Sequence, residues 1–448
     1  MANVDLTNSL PMSMRYSFTG TDAIPSRTRL SRFDATSSEY ASNSNNKILI
    51  PVQADGFIDT TKSYLYLQVQ STHTTTANDH ARNLDGNVAS IIDKLEISVT
   101  GSSGKVETLD NYNLFHLYDQ VWNSGVEDIT YQEAVNGGSD PALEWKAKGA
   151  ELAKAGGHGG VADHQTFALK LKSGFLSSYF GKALPQGMPQ FTIEITLAPG
   201  VQAFISPHAT EVDTDEYKVS NCRFYAPVYQ ILDEQALGRY NAQIAEKPVM
   251  WVAQSFSTIT NTIENTASRQ TAQLNASFKS LNSLVSLKRL SADINAKIEN
   301  SLTATNITGL AEYLYRIGGQ QYPSDAIDVN LGADANNGLN VSRAYMEASK
   351  SLAPHGETHA KSSAVSLTRF KSAVSAGDNV GAGSMCINLT RFSDEGLVNL
   401  GLNTAGSSAP STIEMNFTAV PGSSTLTTFA LYDCVWIMNP NGMIERSF

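Results

Sequence analysis

The sequence predicts an all-β protein built from two sandwiches in tandem. Three observations predict it. Strand patterns in the first half recur in the same order about 220 residues later. Apolar and polar residues alternate at period two in short runs, broken by Gly, Asn, Asp and Pro. Of the 448 residues only 17% are charged, while Ser, Thr, Asn and Gly are plentiful, which is the make-up of a β-rich chain with many turns.

The repeat rests on four matches. Leu95-Glu96-Ile97-Ser98-Val99 alternates and turns at Gly101-Ser102-Ser103-Gly104. Tyr313-Leu314-Tyr315-Arg316-Ile317 does the same and turns at Gly318-Gly319-Gln320-Gln321. Phe167-Ala168-Leu169-Lys170-Leu171 matches Met385-Cys386-Ile387-Asn388-Leu389. Thr192-Ile193-Glu194 recurs as Thr412-Ile413-Glu414, and Asn221-Cys222-Arg223-Phe224 matches Asp433-Cys434-Val435-Trp436. One short match carries nothing, but four in one order predict a duplicated domain. Each half is long enough to bury a core of its own.

The chain divides accordingly. Residues 1–46 are polar, with Pro11 and Pro25, and read as an extended N-terminal arm ordered by a neighbour. Residues 47–232 form the first β domain. Its opening strands are 48–52 and 64–69, with Asp55-Gly56 as a turn between them. Tyr64, Tyr66 and Gln68 share one face, and Leu65, Leu67 and Val69 share the core face. In 112–122, Leu114, Leu117, Tyr118 and Val121 form one apolar stripe, which predicts a helix over an open edge or end of the sandwich. Residues 123–165 read as a long Gly- and Ala-rich insertion. Strands resume at 167–171, 191–197 and 217–231.

Residues 233–247 link the halves, and 248–448 form the second domain. There Leu284-Val285-Ser286-Leu287-Lys288 matches the 64–69 run, and a helix at 341–352, stopped by Pro354, takes the place of the 112–122 helix. A loop insertion at 330–340 delays it. The last strands are 385–391, 412–419 and 426–438. Each half thus gives about eight strands and one helix; eight strands in two Greek keys make a jelly roll. Alternation alone does not separate that fold from other β sandwiches.

A net charge of −11 disfavours general attraction to nucleic acid or anionic lipid. Arg15, Arg27, Arg29 and Arg32 form a local exception, met only by Asp22. They read either as scattered charge on a flexible terminus or as an arm touching a membrane leaflet or packaged genome. Cys222, Cys386 and Cys434 lie in apolar runs without CxxC spacing and read as buried free thiols of a protein folded in a reducing compartment. Met1-Ala2-Asn3-Val4-Asp5-Leu6 lacks the basic and apolar regions of a secretion signal. No apolar run reaches the length of a membrane span. The Asn-x-Ser/Thr triplets at Asn275, Asn306, Asn340, Asn388 and Asn416 read as chance in a chain rich in Ser and Thr.

No residues are expected to be catalytic, cofactor-binding or metal-binding. Gly101-Ser102-Ser103-Gly104-Lys105 lacks the spacing of a phosphate loop and reads as a hairpin turn. His355-Gly356-Glu357-Thr358-His359 is not HExxH and follows Pro354 in a loop. His158 sits among four glycines, where ordering a general base costs entropy. Asp213 and Asp215 read as solvated loop carboxylates. Neither GxSxG nor a dinucleotide fingerprint is present.

Several segments resemble double jelly-roll major capsid proteins of the adenovirus and tailless-phage lineage, closest in flavour to polinton-like viruses and virophages. They are Gly56-Phe57-Ile58-Asp59 with Ser63-Tyr64-Leu65-Tyr66-Leu67, and the strand, turn, strand and helix start over 95–111. Tyr315-Arg316-Ile317-Gly318-Gly319-Gln320-Gln321-Tyr322-Pro323 resembles the second-roll hairpin. Leu400-Gly401-Leu402-Asn403-Thr404, Phe429-Ala430-Leu431-Tyr432-Asp433 and Asn439-Pro440-Asn441-Gly442 resemble the closing strands. The resemblance runs from residue 47 to 448 and lies in the order of short motifs.

It implies a non-enzymatic homotrimer whose six rolls make a pseudo-hexameric tile of an icosahedral shell around double-stranded DNA. Implied partners are further copies of the chain, minor capsid and vertex proteins, and an internal membrane or the genome through the arginine arm. No cofactor or small-molecule substrate is implied. The implied location is the virion, after synthesis in the host cytoplasm or nucleus, without secretion. A tandem duplication suits such a tile, because three chains then supply six similar lateral faces. A carbohydrate-binding or carbohydrate-cleaving sandwich is the alternative. It needs aromatic platforms or paired carboxylates in a cleft, and a secretion signal. A minor vertex protein usually carries a single roll, against the repeat seen here.

Overall fold

The computed structural model describes residues 26–72, 82–102, 104–138, 148–153, 155–157, 160–178, 181–205, 217–294, 296, 302–303, 305–329, 341–354, 357, 359–360, 365, 370, 382–390, 400–406 and 409–447. In the first half the framework strands are β1 (Ser26–Asp34), β2 (Lys47–Val52), β3 (Tyr64–Ser71), β4 (Ile92–Val99), β5 (Lys105–Asp110), β6 (His164–Leu169), β7 (Phe191–Leu197) and β8 (Tyr217–Ile231). In the second they are β9 (Val249–Ile263), β10 (Arg269–Leu274), β11 (Leu281–Leu290), β12 (Leu310–Ile317), β13 (Gln320–Asp328), β14 (Met385–Asn388), β15 (Ser411–Phe417) and β16 (Ser424–Met438).

The first half hydrogen-bonds in the order β1-β8-β3-β6 in one sheet and β2-β7-β4-β5 in the other. The second half reads β9-β16-β11-β14 and β10-β15-β12-β13. The two halves therefore share one topology, strand for strand, and each is a jelly roll of two antiparallel sheets. Register is kept as well. Ile193 of β7 pairs with Ile97 of β4, and Ile413 of β15 pairs with Tyr315 of β12. The recurring Thr-Ile-Glu and the alternating run before each Gly turn thus sit opposite one another in both rolls.

The cysteine match is out of step. Both cysteines lie on eighth strands, but Cys222 sits at a bulge facing β3, between the Ser220–Gln68 and Arg223–Tyr66 pairs. Cys434 pairs with Ala253 of β9, beyond Leu281, the first residue of β11. A one-residue bulge and a longer strand shift the sequence match away from the spatial one.

Residues 26–46, expected within an extended arm, are built into the first roll. β1 pairs with β8 from Ser26–Ile231 to Asp34–Arg223, and Glu39–Ala41 pairs with Lys218–Ser220. Phe33 turns inward to Phe224, ring centroids 6.3 Å apart. Without β1 this side of β8 would be a bare ladder of unpaired backbone groups.

On β3, Leu65, Leu67 and Val69 are buried while Tyr64, Tyr66 and Gln68 are half-buried, so the predicted core face is the observed one. Helices α1 (Tyr112–Asn123) and α4 (Ser342–Ser351) both fall between the fifth and sixth strands of their roll. The first half adds α2 (Val126–Asn136), inside the stretch read as an insertion. The link is a helix, α3 (Glu234–Glu246), whose Asp233 cap accepts from the Gln235 and Ala236 amides. Among the described residues no helix is long and apolar enough to cross a membrane. The 330–340 insertion lies outside the described residues.

Two glycines test this packing in opposite directions. A Cβ on Gly401 would lie 2.5 Å from the Leu281 carbonyl, where Leu281 and Leu402 exchange backbone hydrogen bonds. Gly238 lies in α3 with open space around it. Gly401→Ala should lower stability by about 1–3 kcal/mol through overpacking, whereas Gly238→Ala should raise it by about 1 kcal/mol. Urea-unfolding midpoints check both signs.

Candidate functional site: the junction between the two rolls

A charged side chain sits where the strand pattern calls for an apolar one. Glu107 on β5 is 1% exposed. Its carboxylate accepts from the Gly174 amide at 2.9 Å, the Phe175 amide at 3.2 Å and the Ser173 hydroxyl, all in the loop after β6. The fourth donor is Ser255 Oγ at 2.6 Å, from β9 of the second roll. The loop is clamped from the other side too. Trp436 Nε1 donates to the Gly174 carbonyl at 3.1 Å, and Phe175 packs against Trp251 and Trp436. A Cβ on Gly174 would stand 2.8 Å from the Ser255 Cβ, so the approach requires glycine.

Helix α1 makes the second part of the junction. Its first two turns, Tyr112 to Tyr118, are buried all round, including Asn113 and His116. The predicted stripe is there, but the opposite face is covered as well, because the helix lies between the rolls. Phe115 stands 4.1 Å from Phe256 and 5.1 Å from Phe429, centroid to centroid. The Tyr118 hydroxyl donates to the Ala382 carbonyl at 3.0 Å, and Asn123 Nδ2 to that of Leu352 at 3.0 Å. Further along, Asp85 accepts from the Leu302 amide and the Thr303 hydroxyl, both at 2.8 Å.

Burial pushes His116 down to about 3, and it is neutral at ordinary pH. Its Nε2 donates to the Lys170 carbonyl at 3.3 Å. Beside it a cavity of about 1100 Å³ opens between α1, α2, β3, β6 and β9, bordered by Tyr64, Tyr66, Asp119, Gln132 and Phe256. Asp119 is tied to Lys172, and the Ser173 hydroxyl at the cavity wall donates a hydrogen bond to Glu107.

The residues singled out in the sequence are dispersed. Arg27, Arg29 and Arg32 lie on β1, with Arg29 held by Asp55 at 2.6 Å and Arg32 by Asp34 at 3.0 Å. Arg15, His158, Asp213, Asp215, His355, Gly356 and Thr358 lie outside the described residues. Lys105, after the glycine turn, bridges Glu96 and Glu194 on the sheet surface. The counterpart of Glu194 is Glu414, the glutamate of the repeated Thr-Ile-Glu, held by Arg316 at 2.5 Å and Arg269 at 3.3 Å. The three cysteines are buried and unpaired, with burial raising the Cys222 and Cys386 thiols to about 12. Among the described residues no three His, Cys, Asp or Glu side chains converge on a metal-sized site. Glu107 was missed because nothing local marks it. Its donors come from residues 173–175 and 255.

No protein-family model matches the sequence, and no curated protein matches it. Solved structures do. The Faustovirus major capsid protein aligns with a TM-score of 0.59 at 8% identity, over 97% of this chain and 94% of that one. A capsid protein in the quasi-atomic PBCV-1 capsid gives 0.58 at 11%, over 97% and 99%. The mavirus major capsid protein gives 0.54 at 11%, over 100% and 95%. The fold is a double jelly roll. It is shared with viral major capsid proteins along nearly the whole chain, as the sequence resemblance implied.

Two measurements probe the junction. Glu107→Ala strands four buried donors across both rolls and should cost about 3–5 kcal/mol, read as a fall in the urea midpoint. His116 is neutral when folded but titrates near 6.5 when unfolded. Below that pH the unfolded chain binds a proton that the folded chain refuses, so stability falls as pH drops from about 6.5 towards 3. His116→Gln should flatten that decline between pH 7 and 4. Equal slopes in both proteins would mean that the imidazole is protonated in place.

Proposed function

We propose that this chain is a major capsid protein, a homotrimer whose six jelly rolls form a pseudo-hexameric capsomer of an icosahedral shell around double-stranded DNA. The observation that carries the reading is the strand-for-strand identity of the two rolls, joined by a buried junction. A chain with two like units supplies two like lateral faces, and three chains close a six-sided tile. The likeness in fold to capsid proteins of Faustovirus, PBCV-1 and mavirus supports the same reading. Function here is architectural and needs no catalysis or cofactor.

The domain division that serves it is a leading segment of residues 1–25, a first roll of 26–232, the link 233–247 and a second roll of 248–448. Contacts to minor capsid and vertex proteins, and to a membrane or the genome, are finer steps of this proposal, with the virion as the place of action. Arg29 and Arg32 are already held by carboxylates of the same chain, which lowers their availability for an acidic surface.

Light scattering of the purified protein should give three times the 48.2 kDa chain mass. Negative-stain images should show hexagonal tiles of even size. A stable monomer under assembly conditions would end this reading.

A further inference from the structure

Lys172 and Asp119 meet in a setting unlike that of the other lysine–carboxylate pairs. On the sheet of β4 and β5, Lys94 and Lys105 share Glu96, and the second cation keeps that carboxylate charged. Among the described residues Asp119 meets a single lysine, Lys172, whose Nζ lies against its Oδ2. Both belong to the wall of the junction cavity, along with Phe115, Phe256 and Leu431. Burial pulls the Lys172 amine down to about 7, so its neutral form is well populated at ordinary pH.

The neighbours of the pair are fixed. Asn123, one turn further along α1, donates from Nδ2 to Asp119 Oδ1 at 2.9 Å. One carboxylate oxygen thus faces an amine and the other a directed donor. The backbone of Lys172 is held as well. Its amide donates to the Tyr112 hydroxyl at 2.7 Å, and the three residues after it bind Glu107. His116 lies one turn before Asp119 in the same wall, and its Nδ1 is buried without a hydrogen-bond partner.

We propose that Lys172 and Asp119 condense into an intramolecular isopeptide bond, a cross-link that the folded chain forms by itself between α1 and the loop that clamps Glu107. The ammonium first passes a proton to the carboxylate. That leaves a neutral amine beside a neutral acid, the pair that an apolar wall favours. Nζ then bonds to Asp119 Cγ, and negative charge builds on Oδ1, where Asn123 Nδ2 already points. A second proton leaves the nitrogen for Oδ2, with the free His116 Nδ1 lone pair as its acceptor on the way. Oδ2 departs as water. One C–N bond forms, one C–O bond breaks, the two charges cancel, and no other reactant is consumed. The product closes the chain between residues 119 and 172 and removes freedom from the unfolded state. It also fastens the Glu107 clamp to the helix that packs on Phe256 and Phe429.

The test is the mass of the full chain, measured by electrospray after denaturation. The wild-type protein should weigh about 18 Da less than its sequence, the loss of one water. Proteolysis should release a branched peptide that joins the segment holding Asp119 to the one holding Lys172. Lys172→Arg keeps a cation beside Asp119 but does not condense, and Asp119→Ala removes the acceptor, so each should have its full calculated mass. Because the measurement is made on unfolded chain, it does not depend on how well either variant folds. A wild-type chain at full mass leaves an ordinary ion pair and overturns the link. So does a water loss that persists in Lys172→Arg, since it then belongs to another residue.

Discussion

A buried carboxylate ties the two rolls of this molecule to each other. Burying Glu107 is unfavourable unless each lone pair finds a donor, and no single element of the fold supplies enough of them. The loop after β6 gives three and β9 gives the fourth. The requirement therefore fixes a loop of the first roll against a strand of the second. It also explains the neighbours. Gly174 lacks a side chain so that its amide can reach the carboxylate, and the freed carbonyl on its other side takes the Trp436 indole. Phe175 then fills the space between two tryptophans. An apolar residue at position 107 could pack well but could not choose a partner surface, whereas a carboxylate with four directed donors does.

A second constraint comes from sheet edges. A four-stranded sheet leaves two edges, and each exposes a ladder of unpaired groups. The sixth strand is flanked by α2 in the first roll and by α4 in the second, and the first strand guards the other side of the eighth. This accounts for β1, whose sequence Ser26-Arg27-Thr28-Arg29-Leu30-Ser31-Arg32-Phe33-Asp34 reads as polar chain rather than core. It belongs to the sheet because β8 needs a partner there, and Phe33 is the apolar side chain of β1 that packs against the core.

What the sequence disclosed, and what it withheld, follows from the same physics. Alternation at β3, β4, β7 and β12 was legible because one face of each strand is buried and the other is wetter. Helices α1 and α4 were legible from stripe and stop signal. β1 was not, since its partners lie nearly two hundred residues on and its outward face is polar. Helix α2 was hidden within a Gly- and Ala-rich region without a strong apolar stripe. The cysteine match misled, because similar letters on equivalent strands need not share a height once a bulge intervenes. Glu107 looked like any strand glutamate, because its meaning depends on donors gathered from two rolls.

The halves share topology and register, so their differences in sequence report differences in surroundings. Compare Tyr64-Leu65-Tyr66-Leu67-Gln68 with Leu284-Val285-Ser286-Leu287-Lys288. In the first run every second residue is an amphipathic side chain at a surface only partly covered. In the second both faces are enclosed, and the polar members are satisfied inside. Ser286 bonds the Tyr315 and Thr428 hydroxyls. Lys288, pulled down to about 8 by burial, reaches Asn306 at 2.8 Å over the Phe417 ring. Tyrosine suits a partly covered sheet face, since its ring buries area while its hydroxyl keeps a polar partner. The contrast between the two runs thus separates a sheet face enclosed within this chain from one that is only partly covered.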